Sequence, residues 1–182
     1  MALNQNHRQT EVLPINKLLA VENYRGKFQV NEAYRPIAVS LCKKFPELKH
    51  VPTGSILFLD LTEAKGVTNN KIINAQISKM PEKWHEIIYQ LTGRRFQYYM
   101  EFFQRNIGHM SKEQIILLIY HELRHVGMDG SLVHHDIEEW ANMYHRLGVD
   151  WSATKRKLPD LLDTEVDWDS IKQTNLFTFP IK

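Results

Sequence analysis

A helix that carries two histidines one turn apart constrains the fold of this chain more than any other feature. Residues 111–114, Ser-Lys-Glu-Gln, have the pattern of a capping box, in which the serine hydroxyl accepts the third following amide and the glutamine returns the contact. An apolar run over residues 115–120 leads directly into His-Glu-Leu-Arg-His at residues 121–125, and Gly127 is a typical helix terminator. The sequence therefore predicts a helix that ends at Gly127 and is anchored in a core by its apolar side.

The spacing of His121 and His125 suits a metal ion. Residues i and i+4 of a helix lie one above the other on the same face, so two imidazoles can bind one zinc ion at roughly 2.0–2.1 Å. Glu122 follows the first histidine, and from there its carboxylate can take a proton from metal-bound water and pass it to a leaving amine. Zinc lowers the pKa of its bound water from about 15.7 to about 7. We expect His121 and His125 to be metal ligands and Glu122 to be a catalytic base.

A catalytic zinc ion needs a third protein ligand and one open position, and this ligand must come from outside the first helix. His135 is our first choice, because Gly127 and Gly130 allow the chain to reverse before it. The sequence leaves His134, Glu138 and Glu139 open as alternatives. Asp136 is a candidate for the first turn of the next helix or for a partner that orients a ligand imidazole.

The remaining pattern predicts an α+β chain. We expect helices over residues 31–45, 81–91 and 135–147, and strands over residues 55–61, 72–77 and 96–103. At 182 residues and 43% hydrophobic composition, the chain has the size of one globular domain. We expect that domain to cover residues 1–150, with a loosely attached C-terminal arm over residues 151–182.

Charge and cysteine content restrict the partners and the compartment. The net charge is +2, which predicts no membrane partner and makes a nucleic-acid partner improbable. Cys42 is the only cysteine and the polar N-terminal segment lacks the apolar stretch of a signal peptide, so we expect the protein in the cytoplasm. The oligomeric state is not indicated by the sequence.

Two segments carry a family resemblance. The His-Glu-Leu-Arg-His motif and the later His-Asp-Ile-Glu-Glu-Trp at residues 135–140 resemble the putative phage metallopeptidase family. The resemblance covers about residues 30–145. It implies a zincin-like fold, in which a small mixed β-sheet packs on the motif helix and another helix follows, so that residues 1–150 would be a metallopeptidase domain. It also implies Zn²⁺ on His121, His125 and His135, Glu122 as the base, a protein or peptide substrate, and the host cytoplasm as the location for a phage-encoded chain.

In a zincin-like fold, the strand before the metal helix often forms the wall of the cleft. Residues 96–103 occupy that place, either as a strand to which a peptide adds or as an ordinary core strand. Tyr98, Tyr99, Tyr120 and Tyr144 are all candidates to polarise the scissile carbonyl, and the sequence does not select among them.

Three other functions compete with a peptidase. A phosphohydrolase of the HD type would use residues 134–136 with Asp150 or Asp163, but it requires an all-helical bundle, whereas this chain has strand-like segments. A binding protein with a structural zinc ion would need four ligands and usually several cysteines. The third keeps the protease but ties it to proteins bound to DNA, and it would need more basic surface than the two short clusters at residues 94–95 and 155–157.

Overall fold

The computed structural model describes residues 26–63, 66–68, 71–135, 140–148, 150–163 and 165–166. The strands are β1 (Phe28–Val30), β2 (Ile56–Leu61), β3 (Gly66–Thr68), β4 (Lys71–Ile73), β5 (Ala75–Lys79) and β6 (Tyr98–Phe103). The helices are α1 (Tyr34–Lys44), α2 (Glu82–Thr92), α3 (Gln104–Ile107), α4 (Lys112–Leu123) and α5 (Ala141–Leu147). Two 3₁₀ turns, Pro46–Leu48 and Thr53–Ser55, connect α1 to β2.

Four of the strands form a mixed sheet with the order β1-β2-β6-β5. β2 and β6 run parallel, and the β1–β2 and β5–β6 pairs are antiparallel. β3 and β4 form a separate antiparallel hairpin. The prediction of an α+β fold with a small mixed sheet is thereby confirmed, and the arrangement is compatible with a zincin-like fold.

The main core lies between the sheet and helices α1 and α4. Alternate side chains of a strand point to opposite faces, and β2 shows this clearly, because Phe58 belongs to the main core whereas Leu57 packs on the opposite face with Phe96. On the main face, Leu41 of α1 and Leu117 of α4 are fully buried in the same cluster as Phe58. This packing fixes α4 beside the sheet and therefore fixes the position of its C-terminal turn.

Most predicted elements are confirmed with shifted ends. The predicted strand over residues 72–77 is divided at Asn74 into β4 and β5. The predicted start of the last helix at His135 was wrong, because α5 begins at Ala141, after Trp140 with extended backbone angles. His135 therefore precedes the helix, and residues 136–139 lie outside the described part of the chain.

The described residues beyond position 150 contact the domain closely. Trp151, Leu158 and Leu161 are buried in the main core, and the side-chain amide of Gln114 donates to the carbonyl oxygens of Trp151 and Ser152. The division of the chain at residue 150 stays a prediction, with the qualification that residues 151–161 contribute to the core. Within the described segments, every helix is too short or too polar to cross a lipid bilayer.

Candidate metal centre

The capping box of α4 holds the start of the motif helix. The Ser111 hydroxyl accepts the Gln114 amide at 3.2 Å, and the Ser111 amide donates to the Gln114 side chain at 2.8 Å, as predicted. The helix ends at Leu123 and not at Gly127, because the following amides turn to tighter bonds. The His125 amide donates to the Glu122 carbonyl at 3.1 Å, which is the three-residue spacing of a 3₁₀ turn. His121 therefore lies in the last helical turn and His125 in its tightened continuation.

A tight turn brings the chain back beside the motif. The Gly127 amide donates to the Ser131 carbonyl at 2.8 Å, and Gly130 has a φ of 75°, a left-handed conformation that favours glycine. The Val133 amide then donates to the His125 carbonyl at 2.8 Å. This backbone pairing carries His135 to the face of α4 that bears the motif.

His121, His125 and His135 form a compact group of imidazoles. One ring nitrogen from each lies within 4.8 Å of the others, and the two Nε2 atoms of His121 and His135 are 2.9 Å apart. Tetrahedral zinc with bonds of roughly 2.0–2.1 Å separates its ligand atoms by about 3.3 Å. The three donors fit such an ion with small shifts of the rings.

A backbone carbonyl orients one of these rings. The His125 Nδ1 lies 2.7 Å from the Val133 carbonyl oxygen, which can only accept, so Nδ1 carries a proton and, in the neutral ring, Nε2 has the lone pair. Metal-binding histidines are commonly oriented by this kind of contact. The tautomer that a metal ion requires of His125 is therefore selected by a neighbouring residue of the chain.

Glu122 connects the histidine group to the sheet. Its carboxylate is buried, with 5% of the residue exposed, and its Oε2 accepts the backbone amide of Ile77 at 2.9 Å. The other oxygen, Oε1, is 4.0 Å from the His121 Nε2. The carboxylate is thus held by one oxygen at β5 while the other faces the imidazoles.

Trp140 packs on the same group. Its indole N–H donates to the His121 carbonyl at 3.1 Å, and its ring centroid is 5.1 Å from His125 and 5.3 Å from His135. The Arg124 guanidinium lies over the Trp140 ring, 4.4 Å from its centroid. The sequence marked Trp140 only through the family resemblance, and no local pattern assigned it a place beside the histidines.

A cleft of about 560 Å³ lies between β5 and the histidines. β5 is an edge strand of the sheet, whereas β6 lies between β2 and β5. The alternative that made residues 96–103 the cleft wall was therefore wrong, and they form a core strand.

The Met80 amide donates to the Gln97 carbonyl, and the Phe103 amide donates to the Asn74 carbonyl. Even-numbered residues of β5 thus pair with β6, and the backbone groups of odd-numbered residues point to the cleft side.

The predicted alternatives occupy other positions. His134 lines the cleft but is outside the three-histidine group, and Glu138 and Glu139 lie outside the described residues, as does Asp136. Asp129 accepts the Ser131 amide at 2.9 Å, and bonds from Ser131 lower the pKa of its carboxyl, so it acts as a turn residue.

The four candidate tyrosines are absent from the described lining of the cleft. The Tyr98 hydroxyl donates to the Gly130 carbonyl, and the Tyr120 hydroxyl donates to the Glu47 carboxylate. Burial, followed by that contact, raises the pKa of Tyr120 to about 12.

The β-sheet argues against a phosphohydrolase of the HD type, because that function requires an all-helical bundle.

Comparison with known proteins identifies a family. The model of the family described as putative phage metallopeptidase matches residues 26–162, which include the sheet, the three histidines and the buried residues after position 150. Neither a curated protein nor a solved structure matches the chain.

Proposed function

The chain belongs to the putative phage metallopeptidase family, and from this premise we propose that it is a zinc-dependent peptidase with Glu122 as general base. The observation that supports the proposal best is the convergence of His121, His125 and His135 beside a buried carboxylate. The proposed ligands are these three imidazoles, and three protein ligands are the number that catalytic zinc sites use. Among the described residues, the three imidazoles supply the proposed donor atoms, and imidazole is a ligand type suited to zinc.

The residues of the site divide the work of peptide hydrolysis. Zinc, when bound, supplies a water molecule of lowered pKa and polarises the scissile carbonyl. Glu122 takes a proton from that water through Oε1 and delivers it to the leaving amine. The Ile77 amide holds Oε2 at 2.9 Å and so keeps the carboxylate from rotating away. The Val133 carbonyl keeps the His125 ring in the tautomer that leaves Nε2 for the metal.

The proposed substrate is a protein or peptide in an extended conformation. An edge strand offers backbone groups to such a segment, and the odd-numbered residues Ala75 and Lys79 flank the amide that Glu122 already uses. We place the activity in the cytoplasm, which is the host cytoplasm if a phage encodes the chain, and we propose no nucleic-acid or membrane partner.

Glu122→Gln tests this function. The amide retains an oxygen that accepts from Ile77, so the fold and zinc content should persist, whereas proton transfer should be lost. We expect turnover of an unstructured protein such as casein to fall about 10²–10⁴-fold, the range that general-base catalysis contributes. Zinc per chain, measured by atomic emission, should be unchanged. A wild-type protein that holds zinc and has no Glu122-dependent cleavage of casein or of a mixed peptide library would instead have a structural zinc ion.

A further inference from the structure

We propose that the β3–β4 hairpin selects an apolar substrate side chain, with Ile72 as the specificity-determining residue. This inference rests on the proposed peptidase function. Val67 and Ile72 are directly paired across the antiparallel hairpin, and they are 57% and 71% exposed. Directly opposed residues of an antiparallel pair share one face of the ribbon, so these two side chains form a single exposed apolar surface.

The hairpin is held firmly at its base. The buried Asn106 side chain donates to the Gly66 carbonyl at 3.1 Å and to the Ile73 carbonyl at 2.7 Å. A Cβ atom at Gly66 would lie 2.7 Å from the Phe103 ring, so the strand lies directly on β6 without room for a side chain. The exposed pair is therefore carried by a fixed support and has a definite position relative to the sheet.

That position is one end of the proposed active-site cleft. Ile72 lines the same cleft as His121 and Glu122, and β4 precedes β5 with only Asn74 between them. A peptide that pairs with the cleft side of β5 and extends past Ala75 reaches Ile72. Because this end of β5 lies to one side of the Ile77–Glu122 contact, Ile72 meets a substrate residue on one fixed side of the scissile bond.

The chemistry of the lining favours an uncharged apolar residue there. Among the described residues that line the cleft, Glu122 is the only carboxylate and no lysine or arginine is present. Val133, 37% exposed, adds a second apolar side chain beside the histidines. An acidic or basic substrate side chain would lose water at Ile72 and gain no counter-charge, whereas an aliphatic or aromatic one would remove apolar surface from water.

The test compares Ile72→Lys with Leu91→Lys in the full chain loaded with zinc. Leu91 is 69% exposed and lies on α2, outside the described lining of the cleft, so it provides a matched surface substitution. A mixture of peptides with varied residues around the cut site is digested, and the products are identified by mass spectrometry. We expect the wild type to prefer leucine, isoleucine, valine or phenylalanine at one position relative to the cut. Ile72→Lys should lower kcat/KM for those peptides about tenfold or more, within the range for lost apolar contacts.

Ile72→Ala should lower the preference less than Ile72→Lys, and Leu91→Lys should leave it unchanged. Glu122-dependent cleavage without a preference at any position, or with the same profile in the Ile72 and Leu91 variants, would overturn this inference and leave the proposed function intact. Absence of any Glu122-dependent cleavage would overturn both. A wild-type dimer in sedimentation that Ile72→Lys dissociates, with unchanged kcat/KM, would assign the apolar pair to a second copy of the chain and would also overturn the inference.

Discussion

Removal of the His135 imidazole should weaken zinc binding far more than removal of its neighbour. His135 Nε2 lies 2.9 Å from His121 Nε2, so His135→Ala leaves two proposed ligands on the motif helix. Structural zinc sites with four ligands bind with apparent free energies of about 10–16 kcal/mol, or about 3 kcal/mol for each ligand. Loss of one ligand should therefore raise the Kd for zinc about 10²-fold, since every 1.4 kcal/mol is about tenfold.

Competition with a chromophoric chelator at neutral pH measures this change directly. His134→Ala is the matched control, because His134 is the preceding residue, is exposed and lines the same cleft. Thermal unfolding gives a second measurement that needs no substrate. At a free zinc concentration about 100 times the wild-type Kd, zinc should stabilise the wild type by about 2.7 kcal/mol. The same concentration should stabilise His135→Ala by only about 0.4 kcal/mol, because it then equals the raised Kd.

An equal or larger loss of zinc affinity in His134→Ala than in His135→Ala would refute the ligand set. An unchanged Kd in His135→Ala would refute it as well and would leave His134, Glu138 and Glu139 as the candidates for the third ligand. Either result would also show that the close spacing of the three imidazoles does not identify the metal ligands, because that spacing is the reason for choosing His135.

Three further predictions concern the residues that hold the site. Glu122→Ala should have a free energy of unfolding in urea about 1–3 kcal/mol lower than that of Glu122→Gln, because the alanine leaves the buried Ile77 amide unsatisfied. Gln114→Ala should lower the free energy of unfolding in urea by about 2 kcal/mol, because it removes the bond from the Ser111 amide to the Gln114 side chain and the bonds to the residues after position 150. Glu113→Ala should change this free energy little. Burial raises the pKa of Tyr120 from 10.0 to about 12, so the folded state keeps a proton that the unfolded state loses. The unfolding free energy should fall between about pH 10 and 12, as measured by urea unfolding at several pH values. The fall should be shallower in Tyr120→Phe, where the part due to Tyr34 and Cys42 remains because burial raises the pKa of these groups as well.

The elements that the sequence predicted well are those specified by local signals. The capping box at Ser111 and the apolar run after it mark α4, and the runs of β-branched and aromatic residues mark β2 and β6. The end of α4 was less predictable. His125 lies beyond the helix and is positioned by a 3₁₀ hydrogen bond between backbone atoms, which no residue type in the sequence indicates. The start of α5 was misjudged because residues 135–140 were expected to be helical, whereas Trp140 has extended backbone angles.

The order of the strands in the sheet could not be predicted from local sequence patterns. β6 is richer in aromatic residues than β5, which suggested a role in the cleft, but sheet position depends on pairing between segments that are distant in sequence. β2 and β6 pair in parallel across 36 intervening residues, and only that pairing leaves β5 at the edge. The cleft therefore lies beside Ile77 and not beside the more conspicuous residues of β6.

The contacts that arrange the candidate site are made by backbone atoms, and this explains why the sequence left the choice of third ligand open. The Val133 amide and carbonyl both contact His125, and this double contact sets the path of the chain into His135. The backbone amide of Ile77 likewise holds the Glu122 carboxylate in place. Any non-proline residue supplies these groups, so the identities of residues 77 and 133 carry little information about the chemistry that their backbones support. Side-chain substitutions at these two positions should be tolerated by the site as long as the strand and the turn keep their paths, and the functional constraint there falls on backbone geometry.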